Sequence, residues 1–216
     1  MTPFTLSPTK TPDVLTPTIR QACARLVPRA EAVFVAKQPF PGARINKCTF
    51  NVREYLRENP GDMVLGWDVT IWDGVLLDCI GHAVVRSGNS FLCVTPSKYP
   101  EQRLLFLPDP SLTFNFEDEN ARMPVREVAL SSRPEVAKLI EVTRLEREIK
   151  VKYAVSSQPL LVQGPDAVEL QRLSQAKSQL MLRAILVTAD HNSRCPCGSG
   201  KKFRKCHRTA VEHMLS

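Results

Sequence analysis

The feature that most constrains this chain of 216 residues is a cluster of cysteine and histidine near its C-terminal end. Three of the seven cysteines and one of the four histidines fall within a short run, at Cys195, Cys197, Cys206 and His207. Thiolates and imidazole are the donors that tetrahedral Zn²⁺ prefers, and glycines between them let the backbone fold back toward one point. The pattern predicts a closed knuckle in which these four residues bind a structural zinc ion.

The spacing of the four residues departs from the usual two-residue gap between zinc ligands. One residue separates Cys195 from Cys197, and none separates Cys206 from His207. Residues 198–200, Gly-Ser-Gly, can supply the tight turn that this spacing needs, with backbone N–H groups directed at the sulfurs. A disulfide framework is disfavoured because Cys195 and Cys197 are too close to cross-link usefully. A phosphate-binding loop fails too, because Lys202 stands where a serine or threonine is required.

The run Cys-Pro-Cys-Gly-Ser-Gly-Lys-Lys-Phe-Arg-Lys-Cys-His, residues 195–207, resembles the SEC-C motif. That motif is the zinc-binding tail of the SecA translocase ATPase and of many other bacterial proteins. The resemblance is specific but covers a small part of the chain. It implies that the tail locates or recruits a partner, because a closed four-ligand zinc site leaves no open position for a substrate.

The basic charge of the chain is concentrated around the same tail. The net charge is +7, and residues 191–216 hold six Lys or Arg and one acid, which is +5 and leaves +2 for the rest. Part of this charge offsets the zinc-bound thiolates. The basic residues are Arg194, Lys201, Lys202, Arg204, Lys205 and Arg208. They indicate a possible ribosome or RNA contact, whereas an apolar centre at Phe203 would favour a protein partner or protein substrate.

Composition predicts one main domain with a small appendage, since 43% of the residues are hydrophobic. We expect a flexible segment at 1–17, an α+β domain at 18–130, a helical extension at 131–190 and the zinc knuckle at 191–209. No apolar run is long enough for a membrane span, and no signal-peptide pattern opens the chain. With a thiolate metal site, these features predict a cytoplasmic protein.

The main domain is predicted to contain both helices and strands, which alternate along its first part and are followed by several strands in a row. A buried strand is expected at 32–36, a helix at 46–57, and strands at 63–72, 75–85 and 91–94. Residues 100–110 are apolar but rich in proline, which predicts a loop and an edge strand. Ser132 and Glu135 have capping-box spacing before a helix that reaches Ile149, and Asp166 is expected to cap a second helix ending near Ala189.

Cys48 and His82 form the candidate catalytic pair. Cys48 lies at the expected start of a helix, where the helix dipole stabilises a thiolate and lowers the pKa of the thiol. His82 lies within the strand at 75–85. The order of helix with cysteine, strand with histidine and then a further strand resembles papain-like cysteine enzymes, including transglutaminase-like and NlpC/P60 proteins. This resemblance implies a helix packed on an antiparallel sheet, with Cys48 as nucleophile and His82 as general base and acid.

The third catalytic position departs from the pattern of these enzymes. Cys93 stands where an orienting aspartate is expected, and loss of that acid in a comparable triad costs on the order of 10⁴ in rate. Thr95, Asn89 and Asp78 are the alternatives, with Thr95 taken into the candidate site. A packed core thiol and a hydrogen-bonded imidazole are an equally good explanation of Cys48 and His82.

Two functions therefore remain open at the level of sequence. One is an enzyme that hydrolyses, deamidates or cross-links amides through a Cys48 thioester. The other is a non-enzymatic adaptor in which the knuckle docks a protein or the ribosome, and the larger domain is a degenerate scaffold.

Overall fold

The computed structural model describes residues 9–97, 101–118, 120–154 and 160–216. Residues 1–8 of the predicted flexible segment therefore lie outside the described residues. The described chain combines a sheet with helices, and helices follow the sheet toward the C-terminal end. The predicted α+β class and the C-terminal helices are thus confirmed. No helix within the described ranges is both long and apolar enough to cross a bilayer.

The secondary structure begins with a helix and ends with a helix. The strands are β1 (Val33–Lys37), β2 (Asp62–Trp72), β3 (Leu76–Ser87), β4 (Ser90–Cys93), β5 (Arg103–Pro108) and β6 (Val125–Ala129). The α-helices are α1 (Pro17–Leu26), α2 (Cys48–Tyr55), α3 (Pro134–Tyr153), α4 (Gly164–Thr188) and α5 (Arg208–Leu215).

The sheet closes on itself. Its strand order is β2-β5-β1-β4-β3-β6, and β2 also pairs with β3, so β2, β5, β1, β4 and β3 form a ring with β6 attached to β3. The pairing of β1 with β4 is parallel, whereas β5 pairs antiparallel with both β1 and β2. The sequence predicted an antiparallel sheet, and the sheet is mixed.

The expected edge strand within residues 100–110 is wrong, because β5 lies between β2 and β1. Its only proline, Pro108, stands at the end of the strand, so the amides of the residues before it are available for pairing. The side chains of Leu104, Leu105, Phe106 and Leu107 are fully buried. The prediction was wrong because it counted the prolines around the strand. What limits strand pairing is the position of a proline within the strand, and here the proline is the last residue.

One face of the ring encloses an apolar cluster made by Val35, Val84, Cys93, Leu104 and Phe106. Strand pairing places polar residues on this same face. Asp68 lies opposite Phe106, and Lys37 lies opposite Cys93, and directly opposed residues share a face. Gly66 is required here, because a Cβ at that position would lie 2.6 Å from the Phe106 ring.

The other face of the ring packs against α2. Val52 of the helix is fully buried in a cluster with Ala83, Val85 and Val94, and Cys48 packs against the same cluster. Side chains alternate along a strand, so Ala83 and Val85 on this face imply that His82 and Val84 occupy the opposite one.

The chain divides into two compact units, which are described separately. The barrel unit contains Thr9–Ile71 and Leu77–Val128. The C-terminal unit contains Ala129–Ser216 together with the tip of the β2–β3 hairpin, Trp72–Leu76. Its core joins Trp72 and Val75 of the hairpin tip with Leu139 of α3 and Ala184 of α4. A hydrogen bond from the Leu130 N–H to the Val75 carbonyl (2.8 Å) also holds the tip in this unit.

Both predicted helix caps in the C-terminal unit are wrong. Helix α3 has Arg133 as its N-cap and no side-chain capping bond, because Pro134 provides the first residue with a fixed φ that suits a helix start. Helix α4 has Gln163 as its N-cap, and Asp166 lies within the first turn. There the carboxylate of Asp166 complements the helix dipole without capping an N–H group.

A buried carboxylate links α3 to α4. Glu146 accepts hydrogen bonds from Lys150 (2.7 Å), Ser174 (2.9 Å) and Lys177 (2.8 Å). Burial disfavours its ionisation, but these donors outweigh burial and lower the pKa of Glu146 to about 2. The two helices are thus joined by a charged network as well as by apolar contacts.

Candidate metal centre

The tail folds as a small hairpin that returns the chain on itself. The Cys195 N–H donates to the Lys201 carbonyl (2.8 Å), and the Phe203 N–H donates to the Ser193 carbonyl (2.9 Å). Gly198 and Gly200 have φ values of 78° and 72°, a left-handed conformation that glycine adopts without steric cost. This turn brings the first pair of candidate ligands against the second.

The four candidate ligands converge on one point. The Cys195 sulfur lies 3.3 Å from Nδ1 of His207, the Cys206 sulfur lies 3.3 Å from the same nitrogen, and the sulfurs of Cys197 and Cys206 are 3.7 Å apart. All four ligand atoms lie within 4.8 Å of one another. Tetrahedral zinc with Zn–S bonds of about 2.3 Å separates its sulfurs by about 3.8 Å. The donor set and its spacing are therefore compatible with zinc.

The environment of the sulfurs favours a thiolate at Cys197. The Ser199 hydroxyl lies 3.2 Å from the Cys197 sulfur and 3.4 Å from the Cys206 sulfur. That hydroxyl, together with the backbone of Ser199, lowers the pKa of Cys197 to about 6. Burial raises the pKa of Cys195 to about 12. The sequence predicted that backbone N–H groups of this turn would face the sulfurs, but it did not predict the role of the Ser199 hydroxyl. The signal that could have indicated this role is the serine itself, because its side chain can form hydrogen bonds.

Phe203 is not available to a partner. Its side chain is 1% exposed and belongs to the core of the C-terminal unit, with Leu139, Ala184 and Val211. The expected apolar docking centre at Phe203 is therefore wrong. The ring instead packs against α3, α4 and α5 and anchors the knuckle to these helices.

The basic residues of the tail remain on the surface. Arg194, Lys201, Arg204 and Lys205 are exposed, and none of them forms a salt bridge with a carboxylate in the described part of the chain. Lys202 donates to Asn192 (2.6 Å), and Arg208 pairs with Glu212 (2.9 Å). The knuckle thus presents exposed cations that are not paired with carboxylates among the described residues.

Comparison with known proteins supports the assignment of the tail. The SEC-C motif matches residues 192–208, which include all four candidate ligands. No curated protein and no solved structure in these comparisons matches the chain. The chain therefore carries a SEC-C motif with a cluster that can hold a metal ion.

Cys48 is the first residue of α2, as the sequence predicted. The predicted lowering of its pKa is wrong, because burial raises the pKa of Cys48 more than the nearby backbone groups of Ala83 and Thr49 lower it. The thiol at this helix start is therefore held in its protonated form at neutral pH.

The partner of His82 is Cys93. Nε2 of His82 lies 3.3 Å from the Cys93 sulfur. Cys93 stands where the resemblance to papain-like enzymes implied an orienting aspartate. Cys48 packs against the Ala83 and Val85 face of the sheet, whereas His82 alternates onto the other face. Burial lowers the pKa of His82 to about 4 and raises that of Cys93 to about 11, so imidazole and thiol form a neutral pair.

Thr95 has a structural role in this arrangement. Its hydroxyl accepts a hydrogen bond from the Asn51 side chain (3.2 Å), and its carbonyl lies 3.7 Å from the Cys93 sulfur. Asn89, a further candidate for orienting His82, is exposed in the turn between β3 and β4. Catalysis by Cys48, His82 and Thr95 stays a prediction.

Thiol labelling tests that prediction. We expect an amide-mimic probe directed at thiols to leave Cys48 unmodified in the folded protein at pH 7, because the half-buried thiol is protonated and thiolate is the reactive form. Mass spectrometry of the peptide that contains Cys48 measures the labelling. Labelling of wild-type protein that Cys48→Ala abolishes would instead support the enzyme.

Proposed function

We propose that this protein is a non-enzymatic adaptor whose zinc-bound SEC-C knuckle docks the phosphate backbone of an RNA, such as ribosomal RNA. The observation that carries the proposal is the pairing of a closed Cys₃His cluster with exposed cations that lack carboxylate partners among the described residues. A closed zinc site contributes structure rather than chemistry. Zinc would therefore fix the positions of the cations, and the cations would bind the partner.

The burial of Phe203 favours charge over apolar contact as the source of affinity. An interface that docks a protein needs a desolvated centre with apolar or aromatic anchors. The exposed side chains around the ligands instead include Arg194, Lys201, Arg204 and Lys205. Guanidinium and ammonium groups of this kind supply the sequence-independent part of nucleic-acid binding.

The salt dependence of binding tests the proposal. With about four phosphate contacts, the affinity for a short RNA hairpin is expected to fall about 100-fold between 50 and 200 mM salt. The variant Lys201→Gln/Lys205→Gln should bind more weakly and show a shallower dependence on salt. Fluorescence anisotropy with the full-length protein measures both quantities.

The matched control removes the same charge elsewhere. Arg20 of α1 and Lys138 of α3 are exposed, and the variant Arg20→Gln/Lys138→Gln should leave the salt dependence unchanged. Equal loss in both double variants would show a general effect of net charge and contradict the proposal. Tighter binding of a polyglutamate peptide than of RNA would contradict it as well, because it would identify an acidic protein as the partner.

A further inference from the structure

A second polar site lies in the barrel unit, at the side of α2 that carries its basic residues. It is a surface pocket of about 250 Å³. The residues that line it are Phe40, Gly42, Arg44, Phe50, Asn51, Arg53 and Glu54. A pocket of this size suits a small ligand or a single unit of a larger one.

The charge of this pocket is positive. Arg44 and Arg53 line it, and Lys47 shares the Phe50 ring with Arg53. None of the three has a carboxylate partner among the residues that the structure describes. The acidic residue of the lining, Glu54, is already paired with Arg57 (2.9 Å). Neighbouring like charges repel one another, so an anionic ligand would relieve a repulsion that the protein leaves in place.

Aromatic rings hold one of these cations in a fixed position. The guanidinium carbon of Arg53 lies 5.1 Å from the ring centre of Phe50 and 4.6 Å from that of Phe116. Lys47 lies 5.6 Å from the Phe50 ring centre. An arginine that stacks on rings keeps its N–H edge available for a planar or bidentate anion.

The backbone of the pocket wall is also fixed. The side chain of Asn51, which is 4% exposed, accepts from the Arg44 N–H (2.9 Å) and donates to the Arg44 carbonyl (2.7 Å). Its amide also donates to the Thr95 hydroxyl. The loop that carries Arg44 is therefore anchored before any ligand arrives, which reduces the entropic cost of binding.

We propose that this pocket binds a nucleoside monophosphate unit, with the base against Phe40 and the phosphate held by Arg44 and Arg53. An aromatic wall at Phe40 beside two arginines suits a flat base joined to a phosphate, whereas an acidic peptide would use the cations and leave Phe40 unused. The carboxylates of Glu117 and Asp118 follow Phe116 in the chain and are exposed. They would repel a strand that continued past the rings, so the site takes a single nucleotide, either free or at the 5′-phosphorylated end of an RNA.

Calorimetry with the full-length protein tests this site. The probes are AMP, UMP, inorganic phosphate, a polyglutamate peptide, and a short oligouridylate with and without a 5′-phosphate. Arg53→Met removes the charge but keeps much of the contact with the rings, and it should weaken nucleotide binding by at least about tenfold. Arg20→Met, at an exposed arginine of α1 in the same unit, is the matched control. It should change the affinity by less than about twofold.

The set of probes separates the sources of the nucleotide. Tighter binding of AMP or UMP than of either oligouridylate supports a free nucleotide, and preference for the 5′-phosphorylated oligouridylate supports an RNA end. Equal binding of inorganic phosphate or of polyglutamate overturns the proposal, as does equal weakening in Arg53→Met and Arg20→Met. The knuckle variant Lys201→Gln/Lys205→Gln should bind nucleotide normally, so failure here is distinguishable from failure of the proposed RNA docking by the tail.

Discussion

Removal of zinc from the knuckle is expected to unfold the tail and to loosen the core of the C-terminal unit. Structural zinc in small sites contributes an apparent 10–16 kcal/mol at pH 7. Cys195 and Phe203 share one apolar cluster with Leu139 and Ala184, so the loss should extend from the ligands into α3 and α4. Metal analysis should find one zinc per chain, and a chelator or Cys195→Ser should remove it.

Tryptophan fluorescence can follow this change because the chain has two tryptophans, one in each unit. In a Trp67→Phe background, the remaining Trp72 reports on the core of the C-terminal unit, where it is 5% exposed. A red shift on chelation is the expected signal. Cys48→Ser is the control for cysteine loss and should retain zinc. Absence of zinc from protein purified without added metal would refute the metal site.

Substitution Asp68→Asn is expected to stabilise the protein at pH 8 and to have little effect at pH 4. Oδ1 of Asp68 is inaccessible to solvent and has no hydrogen-bond partner among the described residues. Burial raises the pKa of this carboxyl from 3.8 to about 6, with Lys37 opposing the shift and Glu101 and Asp78 adding to it. The folded protein holds the proton more tightly, so stability falls as pH rises from about 4 to 6. The full penalty is about 3 kcal/mol.

His82 acts in the opposite direction over nearly the same range. Its pKa is lowered from 6.5 to about 4, so the unfolded chain takes up the proton first and stability falls as pH drops through this window. In wild-type protein the two effects partly cancel. In Asp68→Asn the histidine effect is no longer opposed by the carboxyl, and stability should decline more steeply in acid than it does in wild type.

Urea unfolding at pH 4, 6 and 8 measures these differences. We expect the gain from Asp68→Asn to be about 1–3 kcal/mol at pH 8, because the asparagine amide still has to satisfy its own hydrogen bonds. Asp62→Asn is the control on the same strand, where the carboxylate is exposed and pairs with Arg86. It should change stability by less than about 1 kcal/mol. If Asp68→Asn increased the free energy of unfolding by the same amount at every pH, the raised pKa of Asp68 would not be the cause of the gain.

The knuckle could be predicted from the sequence because its contacts are local. The candidate ligands lie within a short run, and Gly198 and Gly200 mark the turn between them. The direction of Phe203 could not be predicted in the same way. Which side of the knuckle is buried depends on α3 and α4, and nothing within the tail specifies that packing.

The candidate catalytic pair shows that the order of helices and strands along the chain does not predict which side chains meet. The positions of α2 and β3 along the chain agreed with the prediction, and Cys48 does begin its helix. Side-chain alternation along β3 then decides which residues meet α2, and it selects Ala83 and Val85 rather than His82. A shift of one residue reverses the faces of a strand, so sequence order could not establish that Cys48 and His82 meet.

The hairpin tip of the C-terminal unit has a consequence for synthesis on the ribosome. Trp72, Val75 and Leu76 emerge early, but they pack with Ala184, Ile185 and Phe203, which are made more than a hundred residues later. At the usual rate of elongation the tip waits on the order of ten seconds for these partners. During that interval α3 can supply Val136 and Leu139, but the indole and two aliphatic side chains still lack the partners from α4 and the knuckle. The tip of the nascent chain is therefore open to chaperones until the knuckle is complete.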